Sequence, residues 1–125
     1  MIIQQYQQYL DMMNQWLIIC EEGRHVDKYF KERDYKNIAV YGMAVYGRAL
    51  VRDLQKTDIH ILYGIDRQVM KPYLNVNVCQ PENIQEKPDV IVNTVLQEHE
   101  AISRWLKGLY NIETVSLEEV VFESY

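Results

Sequence analysis

Six residues, Gly42-Met43-Ala44-Val45-Tyr46-Gly47, stand between a short apolar run, Ile38-Ala39-Val40-Tyr41, and a helical pattern that continues through Leu50, Val51 and Leu54. A glycine at the end of a buried strand permits a tight turn. A second glycine five residues on lets the following helix pack close to the sheet. Few arrangements other than strand, turn and helix satisfy both constraints.

The rest of the chain follows the same grammar. Ile59-His60-Ile61-Leu62-Tyr63 reads as a second strand, closed by Gly64-Ile65-Asp66-Arg67. Pro72, Pro81 and Pro88 break the stretch 68–88, where Val76–Val78 is a short strand candidate. Val90–Val95 is a further apolar strand. A helix over Gln97–Lys107 follows, then an edge strand at Glu113–Val115 and a last helical turn or two at Leu117–Phe122. Near-continuous apolar strands alternating with helices predict an α/β fold whose parallel sheet carries helices on both faces.

Ahead of this pattern lies an N-terminal helical extension, residues 1–35, and the α/β domain is assigned to 36–125. A helix is predicted over 2–22 and stopped by Gly23, and a shorter one over His25–Arg33. In the first, Ile3, Tyr6, Leu10, Met13, Leu17 and Cys20 follow a 3-4-3-4-3 spacing, while Ile2, Tyr9, Met12, Trp16 and Ile19 form an adjacent apolar row. An ordinary surface helix shows one stripe. The expectation is that one row covers the domain and the other, with Trp16 and Met12 at its centre, pairs with a second copy as a homodimer.

Composition limits the partners. The 125 residues carry a formal net charge of −5 without a local Lys/Arg cluster, which argues against nucleic acid. No apolar run approaches the roughly 20 residues that span a bilayer, so no membrane partner is expected. Cys20 and Cys79 are isolated, and Met1–Tyr6 lacks a basic leader segment, which together point to a cytoplasmic protein.

A glycine loop leaving a strand and opening a helix is the context of a dinucleotide fingerprint in a Rossmann-like fold. Free amides at Ala44, Val45, Tyr46 and Gly47 would face a pyrophosphate, aided by the helix dipole. The middle position is Ala44 where such a loop carries glycine. Asp66 follows Gly47 by 19 residues and ends the second strand, where an acid accepts from an adenosine ribose. Arg67 beside it suits a 2′-phosphate, so NAD, NADP and a nucleotide-sugar all stay open as ligands. Thr94, with Asn93, ends the third clear strand at the same sheet edge.

The segments Ile38-Ala39-Val40-Tyr41-Gly42-Met43-Ala44-Val45-Tyr46-Gly47, Tyr63-Gly64-Ile65-Asp66-Arg67 and Pro88-Asp89-Val90-Ile91-Val92-Asn93-Thr94 resemble small Rossmann-like domains of bacterial surface-polysaccharide biosynthesis. Such domains occur as N-terminal units of sugar acyltransferases and in nucleotide-sugar dehydratase or epimerase proteins. The resemblance covers about residues 37–122. It implies a nucleotide or nucleotide-sugar near Gly42, Gly47 and Asp66, and it supplies no activity.

No catalytic constellation is legible. His25, His60 and His99 are scattered, with no metal-ligand spacing. His60 is expected as a hydrogen-bonded core residue and His99 as a helix-surface one. No Gly-x-Ser-x-Gly and no Tyr-x-x-x-Lys occurs in a suitable place. The functions left standing are an accessory nucleotide-binding module, a subunit of an NAD(P)-dependent oxidoreductase or epimerase, an S-adenosylmethionine-binding methyltransferase fragment, and an interaction domain without ligand.

Overall fold

The computed structural model describes residues 2–125, Ile2 by its backbone only. Five strands form one parallel sheet: β1 Asn37–Tyr41, β2 His60–Ile65, β3 Val78–Cys79, β4 Val90–Asn93 and β5 Thr114–Ser116. Their order is β3-β2-β1-β4-β5 with every pairing parallel. This is the Rossmann-like order, in which the chain winds outward from β1 in one direction and then returns to wind in the other.

The central strands explain their own composition. Ile38, Ala39, Val40 and Tyr41 are all buried, as are all four residues of β4. Parallel strands covered on both faces must be apolar throughout. Ile38, Val40, Val90 and Val92 point to one core, and Ala39, Tyr41 and Ile91 to the other.

Helices α1 Ile2–Glu21, α2 Lys28–Glu32, α3 Val45–Leu54 and α5 Leu117–Ser124 contribute to the larger core. The smaller core is closed by α4, His99–Tyr110, through Ile102 and Leu106. Met12, Trp16, Ile19, Val26, Tyr29 and Phe30 belong to the same apolar cluster as the sheet residues, so α1 and α2 share the domain's core. Gly23, at φ +73°, ends α1 in the left-handed region that glycine tolerates.

The expected roles of the two apolar rows of α1 are reversed. Met12 and Trp16 are 0% and 4% exposed within their own domain, so they are not available to a second copy. Ile3, Tyr6, Leu10 and Leu17 face outward. The physical reason lies in the packing: Met12, Trp16 and Ile19 join the sheet's apolar cluster, and buried Asp53 of α3 accepts from the Trp16 indole Nε1 (3.4 Å). The side chain of Ile2, assigned to the same row, lies outside the described residues.

Three smaller expectations shift as well. His60 opens β2 and is exposed, because the strand starts there and continues through Gly64 and Ile65. The short strand expected at Val76–Val78 forms at Val78–Cys79. The edge strand expected at Glu113–Val115 lies one residue later, at Thr114–Ser116.

Ser116 caps α5: its Oγ accepts from the Glu119 amide at 3.1 Å. Ser116→Ala is expected to cost about 1 kcal/mol, the usual worth of such a cap. A shift of the urea midpoint at unchanged slope measures it.

Candidate functional site

The loop after β1 lies at the carboxyl edge of the sheet beside the β1–β4 boundary, where the strand order reverses. Open α/β sheets bind ligands at this place. Gly42 has φ +89°, and a Cβ there would stand 2.4 Å from Thr94 Oγ1. A Cβ at Gly47 would stand 1.9 Å from the Gly42 carbonyl oxygen. Both glycines are therefore required by contact, one for the turn and one for seating α3 on it.

Three tethers hold the loop. Gly42 N donates to Ile65 O at 2.8 Å. Thr94 Oγ1 lies within hydrogen-bond distance of the Tyr41 and Gly42 carbonyls, at 3.0 and 2.8 Å. Asp66 Oδ2 accepts from the Met43 amide at 2.9 Å, and its Oδ1 accepts from the Gln68 amide at 3.0 Å. Met43 itself turns inward over Gly64, where a Cβ would meet Met43 Cγ at 2.6 Å. The glycine in β2 is thus the counterpart of the methionine in the loop.

Ala44 is the N-cap of α3 and is exposed, with φ −81°, so this position tolerates its methyl group. No side chain caps the helix. Arg48 N makes the bond back to Ala44 O at 3.0 Å. The amides of Val45, Tyr46 and Gly47 form the first turn, which has no partners within the helix. Ala44 and Val45 are exposed, Tyr46 is half-buried and Gly47 is buried, so the turn opens to solvent at its start.

A cleft of about 170 Å³ adjoins the loop, lined by Tyr41, Gly42, Asp66, Arg67, Gln68, Val95, Glu98 and Ile102. Arg67 Nε donates to the Tyr41 hydroxyl at 3.2 Å, and the guanidinium lies 5.3 Å from the Trp105 ring centroid. That hydrogen bond raises the Arg67 pKa further, so its charge is permanent. A second cleft of about 380 Å³ lies past Gln68, with Met43, Arg48, Lys71 and Tyr73 among its walls.

Helix α1 reaches this edge too. Tyr9 stacks on Tyr46 with centroids 4.6 Å apart. The Tyr9 hydroxyl accepts from Leu96 N (3.0 Å) and donates to Gln97 Oε1 (2.8 Å). Burial pushes this phenol above its ordinary pKa, which keeps the donating proton at neutral pH.

The structure brings Gly42, Ala44, Val45, Tyr46, Gly47, Asp66, Arg67 and Thr94 together at one edge. Sequence reasoning did not anticipate Tyr9, Gly64, Val95, Glu98, Ile102 or Trp105 there. Gly64 reads from the sequence as closing the second strand, whereas it lies inside β2; the other five leave no local signal.

The histidines do not converge. His25 Nδ1 pairs with Asp53 Oδ1 at 2.8 Å, and His99 Nδ1 lies 3.3 Å from Asn93 Nδ2. Among the described residues no group of three or more His, Cys, Asp or Glu side chains is placed to hold a metal ion. No helix among them is long and apolar enough to cross a membrane. No protein-family model matches the chain, and no curated protein sequence matches it either.

Proposed function

We propose that the domain binds a nucleotide or nucleotide-sugar as an accessory or regulatory module of bacterial polysaccharide biosynthesis, working in the cytoplasm. The observation that carries the ligand is the start of α3, uncapped and exposed at Ala44 and Val45, held by two obligatory glycines at the point where the strand order reverses. The pathway is carried by the sequence resemblance alone.

In this reading phosphate oxygens accept from the amides of Ala44–Gly47, and the ribose meets the free lone pairs of Asp66. The adjoining cleft has room for one ring system, with Val95, Ile102 and Arg67 among its walls. Whether the ligand is NAD, NADP or a nucleotide-sugar turns on what lies beyond that ring.

One observation favours a different reading, an interaction domain that keeps the loop without a ligand. Both Asp66 oxygens, Thr94 Oγ1 and Arg67 Nε already have partners inside the protein. The loop is therefore complete as a structural unit.

Thermal denaturation with NAD, NADP and nucleotide-sugars separates the two. A ligand at 100-fold excess over its Kd stabilises by about 2.7 kcal/mol. Asp66→Ala is then expected to weaken binding by about tenfold, or about 1.4 kcal/mol, in calorimetry. No stabilisation of the parent by any of these compounds would favour the interaction domain. Unchanged affinity in the variant would remove Asp66 from the site.

A further inference from the structure

The outward row of α1 has the spacing of a helix-pairing seam. Ile3, Leu10 and Leu17 occupy one heptad position and Tyr6, Met13 and Cys20 the other. The inward row, Tyr9, Met12, Trp16 and Ile19, is held by the domain's own core. We propose that the outward seam pairs antiparallel with the same helix of a second copy, forming a closed two-fold dimer.

Charge selects the occupant. The chain as a whole is 25% charged, yet Asp11 is the one charged side chain in residues 2–20. The seam is flanked by Gln7 and Asn14, with the acidic Glu21 only at its end, so two copies of an acidic protein meet there with little repulsion. Interface cores are depleted of charge in the same way. No Lys or Arg lies on this helix itself; Arg52 and Lys56 border it from the α3 side, a weak attraction beside the polybasic faces that anionic lipid surfaces select.

Area and shape agree with a second copy. Ile3, Tyr6, Leu10 and Leu17 are 80%, 71%, 54% and 60% exposed. Two such seams with Met13 and Cys20 offer roughly 1,000 Å² for burial, the lower limit of a specific interface. Beside the seam, a groove of about 210 Å³ runs between α1 and α3, with Met13, Leu17, Cys20, Ala49, Arg52 and Lys56 among its walls. Antiparallel pairing sets Tyr6 of one copy opposite Leu17 of the other, so the Tyr6 ring enters this groove from each side.

Sedimentation velocity of the whole chain at tens of micromolar tests the seam. The parent is expected to be a dimer. The double variant Leu10→Glu, Leu17→Glu is expected to be a monomer with unchanged circular dichroism, because both side chains are more than half exposed. In a Cys79→Ser background, Ile3→Cys places a thiol opposite Cys20 of the second copy, and mild oxidation should then link nearly all chains in pairs. Without Ile3→Cys, the two Cys20 thiols lie at opposite ends of the seam and should not link. A monomeric parent overturns the proposal, as does a dimer that survives the double substitution. Ready crosslinking through Cys20 alone overturns the antiparallel arrangement. A monomeric parent that sediments with phosphatidylserine vesicles would give the face to lipid.

Discussion

Gly47→Ala is expected to melt roughly 10 °C or more below the parent, although alanine is the better helix former by about 1 kcal/mol. The added methyl would stand 1.9 Å from the carbonyl oxygen of Gly42 and 2.9 Å from its carbon. Both are backbone atoms, so no side chain can rotate away. The helix must lift from the loop, which strains the Thr94 contact with Gly42 O and the bond from Met43 N to Asp66. Overpacking of this kind costs about 3 kcal/mol or more. Gly108→Ala is the control of opposite sign. Gly108 lies inside α4 with nothing within 4 Å of its added methyl, so up to about 1 kcal/mol of stabilisation is expected. Calorimetric melting of both variants checks the pair. A Gly47→Ala protein as stable as the parent would mean that the loop is not seated as described.

Asp53→Ala is expected to cost about 3 kcal/mol, the scale of stripping a buried carboxylate from its donors. Asp53 is 7% exposed. Its Oδ2 accepts from Val26 N at 2.9 Å and from Trp16 Nε1 at 3.4 Å, while Oδ1 pairs with His25 Nδ1 at 2.8 Å. One side chain of α3 therefore joins α1 to the connection leading into α2. Alanine leaves a buried amide and an indole without acceptors. Asp53→Asn keeps one acceptor oxygen and should lose about half as much. Urea unfolding gives both values. A loss below about 1 kcal/mol for alanine would show that α1 is held by apolar packing alone.

These two positions mark the limits of what the sequence discloses. Gly47 was legible because its constraint is local: a strand, a turn and a helix within ten residues demand a small side chain. The buried strands were legible for a similar reason, since Ile38–Tyr41 and Val90–Asn93 are apolar on both faces. Asp53 was not legible, because it looks like any acid on a solvated helix face and its partners lie 27 to 37 residues away in the chain.

The same cause reversed the rows of α1. Both rows are apolar, so periodicity located them without deciding which one faces inward. Trp16 and Met12 bring large side chains to the core, and Asp53 supplies the indole's acceptor. That choice is made by tertiary contacts. His60 departs from the expectation because β2 emerges from solvent at its first residue, and full burial begins only at Gly64. At the site, the glycine loop and Asp66 follow a local grammar. Tyr9 arrives from a helix 85 or more residues away from its Thr94–Gln97 neighbours, and no short motif encodes it.

In the proposed reading, Asp66 would combine support and recognition in one side chain. It fixes the loop through Met43 N and the following turn through Gln68 N. A ligand hydroxyl would add to these bonds without replacing them, since a carboxylate has about four lone-pair sites.

The most direct measurement is an amide NMR titration of the ¹⁵N-labelled chain with NAD, NADP and nucleotide-sugars. Phosphate bound at the start of α3 should shift the amides of Ala44, Val45, Tyr46 and Gly47 most strongly, with smaller changes at Arg67, Val95 and Ile102 along the cleft. Spectra unchanged at millimolar ligand, or shifts centred away from residues 42–47, would contradict nucleotide binding at this loop.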